Sequence, residues 1–423
     1  MKKNRSLLEF VRESRYRNFF RIIKKTIYFL ISIAIIFLKL PISCLVYLLL
    51  VLLRPIILIR IGELESRAIG HFALPVEIYL SERDVQTNIV SKSIDLFYFN
   101  KKICNKFIAK KWNTYFYIFP RIFLETLYHF LLIFKRNSKH LVPYRHWKTV
   151  KKWQLYDIYG VLKKSKTHID FSENEITLGN FILREMGLDS KKIIAFHARD
   201  PSYREGKYAK PGYRDSDINN YLMGASSVNV AGYAAVRIGR IVNAEISCSN
   251  TIIYDYANSI HASDFMDAYL LSKIDLLVCS GSGIESLALC FRKPLVCVNL
   301  AEWATLHFYE STQYLLFIPK KYFWISNNSP LTMREIINVG VNKFGNEEEY
   351  ILHGVYVKEN TPTEINDAVI EALQFLDGSH YYTDIEKKMQ EKFQLLVGLH
   401  EGSRLLIPIG KKFLKENQYL INV

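Results

Sequence analysis

The sequence predicts a two-domain α/β protein with parallel sheets, preceded by a hydrophobic N-terminal segment. Short apolar runs rich in β-branched residues alternate with helical patterns along most of the chain, which is typical of parallel strands joined by crossover helices. The 423 residues are enough for two domains with sizeable cores. Residues 27–53 are almost wholly apolar and follow a strongly basic stretch.

Residues 1–53 are predicted to form a basic flank and a hydrophobic membrane anchor. Residues 1–25 contain nine Lys or Arg against two Glu, and Lys39 and Pro41 interrupt the apolar run that follows. A single spanning helix would place this lysine near the bilayer centre at a high energetic cost. Two apolar halves hinged at Pro41 would instead enter one leaflet and return. We therefore favour a re-entrant or interfacial anchor over a span or a soluble helix pair, with the basic flank in the cytoplasm.

Residues 54–188 open with a strand, a turn and a helix, the typical start of a Rossmann-like domain. An aromatic-rich helical stretch is expected over residues 101–136, and its most apolar part is either a buried helix or a second membrane-contacting patch. The predicted elements of this first domain are strands at Ile56–Ile61 and Ile94–Phe99 and helices at Gly70–Arg83 and Phe171–Met186.

Residues 189–378 are predicted to form a second Rossmann-like domain, and residues 379–423 a helical tail. The predicted strands of the second domain alternate with helices, which favours a doubly wound parallel sheet. The expected strands are Ile193–His197, Ala234–Ile238, Thr251–Tyr254, Leu276–Cys279 and Leu295–Asn299.

The composition limits the classes of partner. The net charge of +15 favours an anionic membrane surface, anionic small ligands or nucleic acid. Nucleic acid is the weakest of these, because no helix-turn-helix, zinc-finger or RNA-binding pattern is present. The six cysteines show no paired spacing and no Cys-x-x-Cys or His/Cys cluster, which predicts reduced thiols and no metal centre.

A charged loop follows the first strand of the second domain. The strand ends in His197-Ala-Arg199-Asp200, and the loop beyond it contains Glu205. Ligands of α/β proteins bind just outside the carboxyl ends of the strands. An arginine there presents a planar pair of donors suited to phosphate oxygens, and a carboxylate beside it could orient the arginine or act as a base.

A turn of small residues later in the chain is a second candidate binding segment at the end of a strand. Ser280-Gly281-Ser282-Gly283 follows a buried strand and opens a helix that contains Glu285. Such a turn lets backbone N–H groups approach an anion, and the helix dipole favours the negative charge. Many strand-to-helix turns, however, use the same residues only for tight packing.

These segments resemble the nucleotide-sugar half of GT-B glycosyltransferases. The His-x-Arg strand end and the later helix–strand–turn are distantly similar to the fucosyltransferase group, and the ordered set is more similar to a family of bacterial surface-polysaccharide glycosyltransferases. The matching features are Ile69-Gly-His-Phe-Ala-Leu-x-x-Glu77, His197-x-Arg-Asp200, Tyr213-Arg-Asp-Ser-Asp-Ile218, Arg237-Ile-Gly239, Asp264-Phe-Met-Asp267 and Ile318-Pro-Lys-Lys321. Fucosyltransferases carry basic residues directly after the arginine, where this chain has Asp200-Pro201, which argues against GDP-fucose as the donor.

The resemblance implies a fold of two Rossmann-like domains facing a cleft and roles for particular residues. Arg199 would bind the donor diphosphate together with the backbone of the glycine turn, and Glu285 either accepts from a ribose hydroxyl or only starts its helix. The full donor-binding set is His197, Arg199, Arg237, Ser280, Gly281, Ser282, Gly283 and Glu285. The base remains open among Asp200, Glu205, Asp215 and Asp217 of the second domain and Glu65 or His71 of the first domain's opening loop. Glu205 follows the His-x-Arg strand, and Asp217 also fits the start of a helix.

The predicted function is therefore transfer of a sugar from a nucleotide-sugar donor to a lipid-linked glycan or polysaccharide acceptor. We expect no cofactor and no metal, because basic side chains and a helix N-terminus can hold the diphosphate. Nucleotide sugars are made in the cytosol, so the catalytic domains should face the cytoplasm from the inner membrane. The alternatives are a sugar-nucleotide epimerase of the same fold and a non-catalytic membrane-bound assembly protein.

Overall fold

The computed structural model describes residues 40–85, 93–134, 138–142, 157, 159–202, 212–243, 246, 252–304, 314–401 and 407–422. They form an α/β structure with sheets of three, six and two strands. The chain divides into two compact units: unit 1 comprises Met1–Glu63, Val90–Phe99 and Phe116–Pro143, and unit 2 comprises the remaining residues. The domain boundaries predicted at residues 53, 188 and 378 stay predictions.

The helices and strands are numbered in chain order. The strands are β1 (Leu58–Leu64), β2 (Ser93–Phe99), β3 (Tyr117–Ile118), β4 (Ile193–His197), β5 (Ala234–Arg237), β6 (Tyr254–Asp255), β7 (Leu276–Cys279), β8 (Leu295–Leu300), β9 (Tyr314–Pro319), β10 (Lys321–Trp324) and β11 (Val355–Lys358). The helices are α1 (residues 40–53), α2 (Ile69–Val85), α3 (Lys106–Tyr115), α4 (Arg121–Phe134), α5 (Glu173–Glu185), α6 (Leu222–Val230), α7 (Asp264–Lys273), α8 (Gly283–Cys290), α9 (Met333–Val339), α10 (Glu347–Leu352), α11 (Pro362–Asp377), α12 (Asp384–Glu401) and α13 (Lys411–Glu416).

Unit 1 is built on a three-stranded sheet in the order β1-β2-β3, and β2 pairs with β3 in parallel. Helices α1 and α4 supply much of its core. The buried cluster consists of Leu50, Ile61, Tyr98, Leu124, Leu127, Tyr128, Phe130 and Leu131. Leu50 thus joins α1 to the inner face of α4.

Most of the predicted anchor lies outside the described residues, which begin at residue 40. Within the described part of the chain, no helix is long and apolar enough to cross a membrane. Residues 40–53, the C-terminal half of the predicted apolar segment, are helical as α1. The re-entrant or interfacial anchor stays a prediction.

The continuous helical stretch predicted over residues 101–136 is wrong. Helix α3 ends at Tyr115, β3 occupies Tyr117–Ile118, and α4 starts only after Pro120. Proline disfavours the helical conformation in the residue before it and cannot donate a backbone hydrogen bond, which favours a break between two helices at this point. The aromatic and β-branched residues before Pro120 instead suit an extended strand.

Unit 2 contains a six-stranded sheet in the order β6-β5-β4-β7-β8-β9. Each neighbouring pair in it is parallel. Strands β7 and β8 are buried along their whole length, as expected for a parallel sheet covered on both faces. The predicted doubly wound parallel sheet of the second domain is therefore confirmed, and strands β4 and β7 have their predicted bounds.

Candidate functional site

The six-stranded sheet changes its direction of winding between β4 and β7. From β4 the chain adds β5 and β6 on one side, and then β7, β8 and β9 on the other. In open α/β sheets the ligand crevice lies at such a switch point, outside the carboxyl ends of the two strands. The loops that follow β4 and β7 are the two segments predicted from the sequence. They also touch, because the Arg199 backbone N–H donates to Ser280 Oγ over 2.9 Å.

Arg199 is held firmly in this crevice. Its side chain is 14% exposed, and its Nε donates to Asp215 Oδ1 over 3.2 Å. The second oxygen of Asp215 accepts the Gly212 N–H over 2.8 Å, so the carboxylate is itself fixed.

The Asp200 carboxylate accepts hydrogen bonds from neighbouring loop residues. Its Oδ1 accepts the N–H and the hydroxyl of Ser202, and its Oδ2 accepts the Asn243 N–H over 2.9 Å. A carboxylate with three donors is stabilised in its charged form and is a weak proton acceptor. Asp200 is therefore a poorer candidate for the base than the sequence suggested, and Glu205 lies outside the described residues.

Two further cations reach the same edge, and the sequence analysis assigned a role to neither. Arg214 donates from Nη2 to the Gly281 carbonyl over 2.7 Å, and its Nε lies 3.6 Å from Glu302 Oε1. Lys320, which follows β9, is buried and donates from Nζ to the Asp215 carbonyl over 2.6 Å. Burial lowers the pKa of Lys320 from its ordinary value. Each residue stood in a motif that carried the resemblance, which was the available signal.

The turn Ser280–Gly283 has the shape of an anion-binding helix start. Gly281 has a φ of +75°, a backbone conformation that residues other than glycine rarely adopt. The Ser282 N–H donates to Glu285 Oε1 over 2.7 Å, as in a capping box. Ser282 Oγ lies 3.2 Å from His197 Nδ1. Burial and the neighbouring arginines Arg199 and Arg237 lower the pKa of His197 to about 4, so its imidazole is neutral at physiological pH.

A glycine pair joins the start of α2 to the start of α8. A Cβ atom on Gly283 would lie 3.0 Å from the Gly70 nitrogen, and one on Gly70 would lie 3.0 Å from Gly283 Cα. Only two glycines allow this approach. His71, a predicted base, directly follows Gly70 and is therefore beside the turn. Although its surface is exposed, nearby protein atoms desolvate the ring and lower the pKa of His71.

Glu65 and Arg237 are both committed to ion pairs. The buried Glu65 carboxylate accepts both Nε and Nη2 of Arg67, at 2.7 and 2.9 Å. Arg237 is 2% exposed and donates to Asp255 Oδ2 over 3.1 Å. These contacts favour a structural salt bridge for Arg237 over the predicted donor-binding role.

Glu285 is likewise buried, and its carboxylate takes part in the capping of α8. Its predicted helix-start role is thus what the geometry supports. Three buried residues bring possible metal-ligand atoms within 4.8 Å of one another: the sulfur atoms of Cys279 and Cys297 and a carboxylate oxygen of Glu285. The two sulfur atoms are 3.6 Å apart. This group offers metal-ligand chemistry that the cysteine spacing alone did not reveal.

A small open cavity of about 60 Å³ adjoins the first turns of α8. Apolar side chains of Ile238, Ile284 and Leu287 line it, together with the polar side chains of Arg240 and Asp267. Arg240 pairs with Asp267 at 3.2 Å, and burial raises the pKa of Asp267 to about 6. The cavity provides an apolar surface with a charged rim beside the anion-binding turn.

Comparisons with known proteins return similarity in structure only. No protein-family model matches the sequence, and a comparison with curated proteins finds no significant match. The ADP-heptose LPS heptosyltransferase II of E. coli is 12% identical with a TM-score of 0.41, covering 76% of this chain and 100% of that one. A family 9 glycosyl transferase of Veillonella parvula is 13% identical with a TM-score of 0.36, covering 62% and 85%.

An E. coli heptosyltransferase with ADP is 10% identical with a TM-score of 0.30, covering 57% of this chain and 87% of that one. At these identities and scores the similarity indicates neither a reaction nor a substrate for this chain. The three neighbours are heptosyltransferases or a family 9 glycosyl transferase, so a specific relationship to the fucosyltransferase group finds no support among them.

Proposed function

We propose that this protein is a metal-independent glycosyltransferase of the GT-B type, with two Rossmann-like domains facing a cleft. The observation that carries the proposal is the meeting of Arg199 with the Ser280–Gly283 turn at the switch point of a parallel sheet. This combination of a fixed guanidinium and a helix start suits the diphosphate of a nucleotide sugar. The motif resemblance between Ile69 and Lys321 agrees with it.

In this proposal the diphosphate is the leaving group. The acceptor hydroxyl oxygen forms a bond to the anomeric carbon of the sugar while the bond from that carbon to the diphosphate breaks. Negative charge then grows on the nucleoside diphosphate, and Arg199 and the N–H groups of the turn stabilise it.

His71 is our choice for the base that accepts the acceptor's proton. It directly follows Gly70, which contacts the donor turn at Gly283. Its lowered pKa leaves the imidazole neutral and able to accept a proton near pH 7. Glu65 and Asp200 hold their charges in ion pairs or hydrogen bonds, which makes both weaker acceptors.

The acceptor is proposed to be a lipid-linked glycan or a growing surface polysaccharide at the cytoplasmic leaflet of the inner membrane. The basic residues 1–25 and the apolar residues 27–53 favour attachment to an anionic membrane. A nucleotide sugar made in the cytosol is available on that side. No cofactor is required, since the nucleotide sugar is a substrate.

Calorimetric titration of the full chain with UDP, GDP and ADP, and then with their sugars, tests the donor site. We expect one nucleoside diphosphate to bind and its sugar to be transferred to a membrane-extracted acceptor. Failure of every nucleotide to bind would contradict the proposal. Conversion of a nucleotide sugar to its epimer without any acceptor would instead identify the epimerase alternative.

A further inference from the structure

Unit 1 carries an outer apolar face on two helices that pack against each other. Tyr47 of α1 and Phe130 of α4 have ring centroids 5.9 Å apart, and both helices contribute to the core of the unit. Both helices also expose apolar side chains away from this core. We call the following exposed residues the outer apolar face: Ile42, Leu45, Leu48, Leu49, Leu52, Ile56, Tyr117, Ile122, Phe123, Ile133 and Phe134.

The outer apolar face exposes enough apolar surface to require contact with an apolar partner. Leu52 is 72% exposed and Phe123 is 71% exposed. A helix that is apolar all round belongs in a protein core or in lipid. Helix α1 buries one side on α4, so its other side requires a covering that the described residues do not supply. Large contiguous apolar patches on a protein surface indicate an interaction site.

The geometry favours helices lying in the plane of a membrane surface. Helix α4 has 14 residues, whereas a transmembrane helix requires about 20. It is packed on the sheet of unit 1 along its inner side, as Leu124, Leu127 and Leu131 are buried. Such a helix can insert only its outer side, to a depth of about 5–10 Å.

The surrounding charge specifies the kind of membrane. Arg54 follows α1, whereas Arg121, which opens α4, pairs with Glu125 of the same helix and adds no net charge. Residues 1–25, which precede the apolar segment, carry nine basic side chains against two acidic ones. Tyr117 lies among the exposed residues, and tyrosine side chains favour the membrane–water interface. Basic side chains beside an apolar face bind anionic head groups.

We propose that the outer apolar face of α1 and α4 inserts into the surface of an anionic lipid bilayer. The sequence pointed to residues 27–53 as an anchor and left the apolar stretch that contains α4 open between a buried helix and a second membrane-contacting patch. The structure adds α4 as a second, independent membrane contact in the same unit. This inference does not depend on the proposed sugar transfer, because it rests on unit 1 alone.

Site-specific fluorescence on the full chain tests this insertion. Cys44, Cys104 and Cys248 are first replaced by serine, which leaves the three buried cysteines. An environment-sensitive fluorophore is then attached at Leu52→Cys or Phe123→Cys. The matched control is Leu352→Cys, an 81% exposed leucine of unit 2. Vesicles of phosphatidylcholine and phosphatidylglycerol contain doxyl quenchers on the upper part of the acyl chains.

We expect a blue shift and quenching at positions 52 and 123 but not at 352. Omitting phosphatidylglycerol should weaken vesicle binding by at least about 30-fold, the loss expected from only two basic side chains near the surface. Quenching at 52 without quenching at 123 would remove α4 from the membrane and overturn the proposal. Vesicle-bound protein with no quenching at either position would show that protein covers the face, either residues 1–39 or a second copy. Equal binding to neutral vesicles would overturn the charge argument.

Discussion

Replacing Arg199 by alanine should weaken binding of the donor diphosphate strongly. The guanidinium is 14% exposed and is held by Asp215, so a phosphate oxygen would meet a largely desolvated, fixed charge. Losing such a charge-assisted contact costs about 2–4 kcal/mol, which corresponds to a rise of roughly 30- to 1,000-fold in Kd. Arg199→Lys should recover only part of this loss, because a single ammonium cannot hold Asp215 and two phosphate oxygens in one plane.

Calorimetric titration with the nucleoside diphosphate measures the effect. Arg60→Ala is the matched control, because Arg60 is 18% exposed and pairs with Asp95 through both Nε and Nη2 in unit 1. Both variants should lose thermal stability, and only Arg199→Ala should lose affinity. A folded Arg199→Ala protein with an unchanged Kd would refute the assignment of the diphosphate site. An equal loss in Arg60→Ala would show that the effect is a general consequence of destabilisation.

Three further predictions concern the base, a buried carboxyl group and metal. His71→Asn should lower kcat by about 10²–10⁴ and remove the fall in rate as the pH drops through the histidine pKa, while leaving donor Kd unchanged; an unaltered kcat would exclude His71. Burial raises the pKa of Glu371 to about 7, so its stabilising contribution is complete below about pH 4.5 and is lost as the pH rises through about 7. Urea denaturation between pH 5 and 8 should show a fall of up to roughly 3 kcal/mol in the free energy of unfolding of the unmodified protein. Glu371→Gln should abolish this fall. Identical pH dependence in both proteins would contradict the prediction. Turnover should persist in excess chelator, because the carboxylate among Cys279, Glu285 and Cys297 already caps α8; loss of activity that Mn²⁺ or Mg²⁺ restores would contradict it.

Much of the fold was predictable because buried parallel strands are continuous apolar runs. Ile193–His197 and Leu276–Cys279 have no polar interruption, and the structure places β4 and β7 at those bounds. The bounds of helix α11 also have signals in the sequence, because Thr361 caps its start just before Pro362 and Gly378 follows its end in the left-handed conformation. The strands β9, β10 and β11 were not predicted. Helix α4 and β3 were merged, because Tyr117-Ile118-Phe119 is as apolar as the helix beside it.

The site was predictable in its segments but not in its contacts. Strand ends and small-residue turns identify where a ligand can bind, and Arg199 and Ser280 do meet there. Periodicity shows which side of an element is buried but not which element covers it. The contact of Gly70 with Gly283 joins residues far apart in sequence, as does that of Lys320 with Asp215. The strand order of the sheet brings Lys320 to Asp215, and the packing of α2 against α8 brings Gly70 to Gly283.

The contacts also give different roles to Arg199 and Arg214, which the sequence alone cannot distinguish. Arg214 uses Nη2 on the Gly281 carbonyl and has its Nε near Glu302, so its charge is directed at the protein. Its loss should free the turn rather than remove a phosphate contact. Lys320 restrains the Asp215 backbone, and Asp215 in turn orients Arg199. The loops after β4, β7 and β9 are thereby tied together before any ligand arrives. Donor groups fixed in this way stabilise a developing charge without reorganising, and this is why Arg214 and Lys320 belong to the site although we assign them no contact with the donor.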